Sequence, residues 1–140
     1  MKNLLHIVLL LFLFGCSQKK EKKVIITESK MYKQSEMAAL MLKMYAVNLE
    51  NKALILEGKV PNSIPEEFVN IHTAKLTDPS DRNAAFKGFS DFYLKTYEQV
   101  TTTNKDSLSV KHNNTINSCI ACHKTTCIGP IPKIKKLLIH

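Results

Sequence analysis

Cys119-Ile120-Ala121-Cys122-His123 constrains this chain more than any other stretch. On a helix, Cys119, Cys122 and His123 stand at i, i+3 and i+4, so the two thiols and the imidazole share one face. Two thioether tethers and one nitrogen ligand can then reach the same flat ring. That is the C-x-x-C-H spacing of a covalent haem attachment site, with His123 as the axial ligand on one side of the iron. No methionine follows His123, so any second ligand must come from upstream.

The N-terminus points to a compartment where such haems are attached. Lys2 precedes Leu4-Leu5-His6-Ile7-Val8-Leu9-Leu10-Leu11-Phe12-Leu13-Phe14. This run is too short to span a bilayer and fits the apolar core of a signal peptide. The ending Leu13-Phe14-Gly15-Cys16 resembles the lipobox of bacterial lipoproteins, with an aliphatic residue at −3, a small one at −1, and then the cysteine. The resemblance implies cleavage before Cys16 and acylation of its thiol and new amino group. Several acyl chains, at about 0.8 kcal/mol per buried CH2, make a stable anchor. An ordinary secretory signal with an incidental cysteine is the plainer alternative. The expected organisation is a lipoprotein signal at 1–15, a lipidated cysteine with a charged tether at 16–27, and one domain at 28–140. The expected location is a bacterial membrane, on its periplasmic side.

The formal charge is +8, carried mostly by lysine, with Arg82 as the single arginine. Export argues against a nucleic-acid partner. An acidic docking surface on a redox partner, or anionic headgroups, suits the charge equally well as a merely solubilising surface does. Of the four cysteines, Cys16 is assigned to lipid and Cys119 and Cys122 to haem. Cys127 is left over, one turn past His123, and is read as a buried inert thiol; contact with a haem edge or an intermolecular disulfide are the alternatives.

Between the tether and the C-terminus the periods are helical. A first helix is expected from about Thr27 or Ser29 to Gly58, with Met37, Leu40, Met41, Met44, Val47, Asn48 and Leu54 in register. Ser63 caps a second, shorter helix that begins with Ile64-Pro65-Glu66-Glu67 and carries Phe68, Val69, Ile71 and Leu76. A third begins after Ser80 or Asp81, with a stripe of Ala85, Phe86, Phe89, Phe92, Tyr93, Tyr97 and Val100. A fourth runs from Leu108 to Cys127, with Val110, Ile116, Cys119, Ile120 and His123 facing inward. Gly129-Pro130 ends it, and a basic amphipathic tail from Pro130 to Ile139 is expected to pack back on the helices. No strand pattern or repeat interrupts this order. The fold class is all-α, an antiparallel four-helix bundle with the haem-bearing helix last.

Methionine is the natural upstream ligand. Met37, Met41 and Met44 share a face of the first helix, although such a stripe more often packs a core. His112 lies ~16 Å along the helix from His123 and cannot reach the opposite side of the same ring. His72 is a remote candidate, His140 is terminal, and His6 belongs to the signal.

Over about residues 28–127 the chain resembles the class II c-type cytochromes, the cytochrome c-prime group. The likeness rests on the C-x-x-C-H of a C-terminal helix and on Lys33-Gln34-Ser35-Glu36-Met37 in the first helix. The family often has Arg-Gln-x-x-Met there, and its low-spin members use that methionine as distal ligand. The resemblance implies Met37 as the distal ligand, with lysine in place of arginine at Lys33. It also departs from the family after Cys127, where the family's haem helix usually continues.

Three functions follow as expectations. The first is a membrane-tethered monohaem electron carrier with one covalent haem c, in which Met/His ligation would raise the potential and keep the iron saturated. A five-coordinate haem protein that binds NO or CO uses the same bundle if Met37 only packs. A structural zinc site would use the i, i+4, i+8 stripe Cys119, His123 and Cys127. No nucleophile–base pairing suggests an enzyme. A redox partner and the lipid membrane are the expected associations, and a homodimer stays open.

Overall fold

The computed structural model describes residues 33–140. The signal, Cys16, the tether, Met31 and the expected helix start near Thr27 lie outside the described residues. Every regular element among the described residues is helical. None of those helices is long and apolar enough to cross a membrane.

Helix α1 spans Glu36–Leu56. It begins later than its apolar period suggests because Ser35 caps it, its hydroxyl accepting from the Ala38 N–H at 3.1 Å. Its end is a Schellman turn: Gly58, at φ +71°, donates to the Ile55 carbonyl, and Lys59 donates to Leu54. Gly58 is therefore the stop that the sequence signals. Met37, Leu40, Met44, Asn48, Asn51 and Ile55 are buried on the inner face.

The expected second α-helix is instead a seven-residue 3₁₀ segment, Glu66–His72. Ser63 does not cap it; Pro65 stands at its start and its carbonyl accepts from Phe68 N–H at 2.9 Å. In a 3₁₀ helix, residues i and i+3 lie on the same side. Phe68 and Ile71 are so spaced, and both are buried, which is what the tighter winding accomplishes. Phe68 meets the Tyr97 ring edge-on at 6.1 Å.

Asp78 caps a short turn, Pro79–Asp81, and helix α2 spans Ala84–Thr102 with Asn83 as its cap rather than Ser80 or Asp81. Phe86, Ser90, Tyr93, Thr96, Tyr97 and Val100 are its buried side. Phe92 and Ala85 are exposed, each about 100° round the helix from a buried neighbour. A further short turn, Lys105–Ser107, leads into helix α3, Leu108–His123. Val110 points outward, and the buried side is Leu108, His112, Thr115, Ile116, Ser118 and Ile120. The helix stops four residues short of Cys127. The Thr125 N–H and the Thr125 and Thr126 hydroxyls all take the Cys122 carbonyl, which ends the regular ladder.

The tail returns, as its amphipathic pattern suggests, through a short helix α4, Ile131–Lys135. Ile134 and Leu137 pack on Ile116 and Ile120. Side chains then fasten the tail's backbone. Asn113 exchanges two bonds with Ile139, at 2.8 and 2.9 Å, and Lys52 donates to the carbonyls of Lys136 and Leu138. His112 is fully buried, and its Nε2–H donates to the Leu137 carbonyl at 2.9 Å.

Nδ1 of His112 has no partner. Burial pushes the ring's pKa below the ordinary 6.5, and the nearby Lys52 charge adds to that, against the bond to Leu137. Below pH 6.5 the unfolded chain binds a proton that the folded ring refuses. Stability therefore falls as pH drops below that value, by ~1.4 kcal/mol for each unit of separation between the two states. We expect the melting temperature to decline between pH 7 and pH 5, and His112→Gln to flatten that decline. A wild-type melting temperature constant across the window would contradict this account.

Candidate haem-attachment site

Local sequence explains how Met37 is held. Ser35 starts the helix, and Glu36 and Met37 then clip it to residue 75: Lys75 N–H donates to Glu36 Oε2 and Met37 N–H donates to the Lys75 carbonyl, both at 3.0 Å. Arg82 fixes the same connection by donating to the carbonyls of His72 and Ala74. Its guanidinium also stands 5.3 Å from the Phe86 ring centre. The chain's single arginine thus ties the lead-in of α2 to the start of α1. Met37 is 6% exposed and joins the core with Leu40, Met44 and Phe68.

From the other side, α3 presents Cys119, Cys122 and His123 in its last turn. These three residues and Met37 line one cleft of about 370 Å3, within the ordinary size range of ligand pockets. Met41 and Met44 line it too. Its walls are mostly apolar, and α4 with the tail closes one side through Lys133, Ile134 and Leu137. All four residues read as haem ligands or tethers are therefore brought together. His72 is outside the cleft, 3.4 Å from Asp91, and His112 is sealed beneath the tail.

His123 is oriented by the end of its own helix. Its Nδ1 lies 2.8 Å from the Cys127 carbonyl. A carbonyl only accepts, so Nδ1 is the donor, and in the neutral ring Nε2 is the nitrogen with the lone pair. A backbone carbonyl on the second ring nitrogen is the usual way a metal-binding histidine is held and made more basic. The early stop of α3 is what bends Cys127 O back to this position, because Cys127 N–H also returns to the His123 carbonyl at 3.1 Å.

Both helix thiols are free and sit in apolar surroundings. Burial, with a smaller contribution from Cys122, pushes the Cys119 thiol up to about 12. Burial also raises Cys122, against a hydrogen bond from Thr126. Cys127 is exposed rather than buried, because α3 ends before it. The same early end removes the i, i+4, i+8 stripe on which the zinc reading depends. Among the described residues, no three His, Cys, Asp or Glu side chains gather to hold a bare metal ion.

Tyr45, Asn48 and Phe86 also line the cleft. Asn48 is buried; its Nδ2 donates to the Met44 carbonyl at 2.8 Å and to the Tyr93 hydroxyl at 3.0 Å. Its Oδ1 is buried without a partner. Burial, reinforced by nearby Cys119, holds the Tyr93 phenol far above its ordinary range. The sequence signal for Asn48 is a polar residue in the inward register of α1. Tyr45 and Lys133 gave none, since their meeting depends on the returning tail; Lys133 Nζ stands 4.5 Å from the Tyr45 ring centre.

Comparison with models of known protein families, with curated proteins and with solved structures returned no match.

Proposed function

We propose that this chain is a monohaem c-type cytochrome that carries single electrons, held at a bacterial membrane by lipidated Cys16. The observation that carries the reading is the meeting of Met37 with Cys119, Cys122 and His123 in one apolar cleft. Cys119 and Cys122 would be the covalent tethers, His123 Nε2 the proximal ligand and Met37 the distal one. The donor set fits the group: two thiols and an imidazole with a free lone pair stand in one helical turn, and an apolar wall carries thioether sulfur. The unpartnered Asn48 Oδ1 is a further polar contact that a ring in the cleft, or a water beside it, could satisfy. The haem iron would supply one-electron chemistry, and methionine ligation raises its potential.

The protein's own residues then have defined tasks. Cys127 O fixes the His123 ring; the Ser35 cap and the Lys75 clip fix Met37. The apolar lining keeps water away, which favours little rearrangement on oxidation. Lys133 at the rim would attract an acidic redox partner and speed its approach. The antiparallel four-helix bundle of the class II cytochromes belongs to this proposal: α1, α2 and α3 would supply three members and the Glu66–His72 segment a shortened second.

The test is the absorption spectrum of the chain expressed in a periplasm with haem-attachment machinery. A sharp reduced α band, unmoved by CO, is expected. A broad unsplit band that shifts with CO would replace the electron carrier by the five-coordinate gas-binding reading. No Soret band would overturn both.

A further inference from the structure

Charge is unevenly shared along this chain. Asp106 is the last acidic residue, and residues 107–140 hold five lysines and no carboxylate side chain. Among the described residues the ion pairs of lysine are Lys43–Glu67, Lys59–Glu57, Lys75–Glu36 and Lys87–Asp91. None involves the five lysines that follow Asp106. Of these, Lys111 is half-buried and donates to Gln99 at 3.4 Å, and Lys133 stands over the Tyr45 ring beside the cleft. Lys124, Lys135 and Lys136 are left, all exposed, where α3 ends and α4 packs back on it. Ile128 lies between them in sequence and, at 71%, is the most exposed large apolar side chain among the described residues. Its carbonyl takes the Ile131 N–H at 3.1 Å as α4 begins, and Ile134 and Leu137 fill the inner side of that helix. The outer side is left with Ile128, Pro132 and the lysines.

We propose that this end of the molecule rests on an anionic bilayer, with Lys124, Lys135 and Lys136 on the lipid headgroups and Ile128 pressed between them. Charge complementarity carries the inference: these cations have no carboxylate of their own to satisfy, so their field is free for a surface of opposite sign. A lysine near such a surface strengthens binding about fivefold. Its flexible stem lies along apolar material while its head stays at the phosphates, and an isoleucine among such heads enters the layer beneath them. Interfaces between proteins are instead depleted in lysine and built round rigid anchors. The proposal draws on the reading of Cys16 as lipid-bearing. Residues 16–33 can reach at most ~60 Å, so an anchored domain meets the bilayer at high effective concentration and a weak contact suffices. Lys133, held over Tyr45, stays at the cleft rim for a redox partner. The inference does not depend on what fills the cleft.

The test is lysine acetylation, read residue by residue by mass spectrometry, on the full chain bound to vesicles of phosphatidylcholine alone or of phosphatidylcholine with phosphatidylglycerol. Lys87 and Lys105, both exposed, lie outside the proposed contact and serve as references. On the anionic vesicles Lys124, Lys135 and Lys136 should be acetylated severalfold more slowly than on the neutral ones, with Lys87 and Lys105 unchanged. High salt should remove the difference. Lys135→Gln combined with Lys136→Gln, at two exposed positions, should return Lys124 to its rate on neutral vesicles. If the chain sediments with both kinds of vesicle and every lysine reacts alike on the two, the proposal is overturned and the face is left to an acidic protein. A chain that washes off neutral vesicles would overturn the anchor at Cys16 instead. The surface is then decided by sedimentation with the anionic vesicles: salt-sensitive binding upholds it, and no binding overturns it too.

Discussion

Cys119→Ala combined with Cys122→Ala should abolish covalent haem completely. The C-x-x-C-H turn holds the two thiols that line the cleft from α3. Cys127 is the remaining thiol on the cleft wall, but it lies beyond the helix end and its carbonyl is engaged by His123. It cannot replace either tether without releasing that ring. The readout is haem-dependent peroxidase staining after denaturing electrophoresis, together with intact mass. Each single variant should retain one thioether and the full haem mass, with its absorption bands moved to longer wavelength because one vinyl group stays conjugated. Covalent stain in the double variant would refute the attachment site.

The second large effect concerns Met37. Because this side chain is 6% exposed, Met37→Ala would remove packing as well as sulfur; such buried truncations cost ~2–5 kcal/mol. Met37→Leu keeps the volume, at under ~1.5 kcal/mol, and removes only the ligand atom. It should convert a low-spin iron to a high-spin one, erase the weak near-red band of methionine ligation, and open the iron to CO. Met41→Leu and Met44→Leu, whose side chains line the same cleft, should leave the spectrum unchanged. If one of them changes it and Met37→Leu does not, the distal assignment moves along α1 by one turn or two.

Local chemistry was legible in the sequence, and tertiary chemistry less so. The C-x-x-C-H spacing places its three side chains through helix geometry alone, and Ser35, Glu36 and Met37 follow one another at a helix start. Gly58 ends α1 because only a turn with positive φ closes it there. By contrast, an apolar pair at i, i+3 is consistent with both an α-helix and a 3₁₀ turn, and the contact of Phe68 with Tyr97 decides between them. The stop of α3 at His123 depends on two threonine hydroxyls that compete for the Cys122 carbonyl, a signal drowned by the more obvious Gly129-Pro130. His112 stands away from the cleft, and its work in fastening the tail is visible only once Leu137 is beside it.

The tail that walls the cleft follows the haem motif in chain order. Lys133, Ile134 and Leu137 complete a boundary whose other parts are all encoded earlier. If the cleft takes haem as proposed, entry of the ring and closure of the tail would compete in time. While the residues after Pro130 are unsettled, the cleft is open on that side and the two thiols can be reached from it. Once His112, Asn113 and Lys52 have captured the tail backbone, that route is shut. On the haem reading, loading would come before the final fastening of the tail.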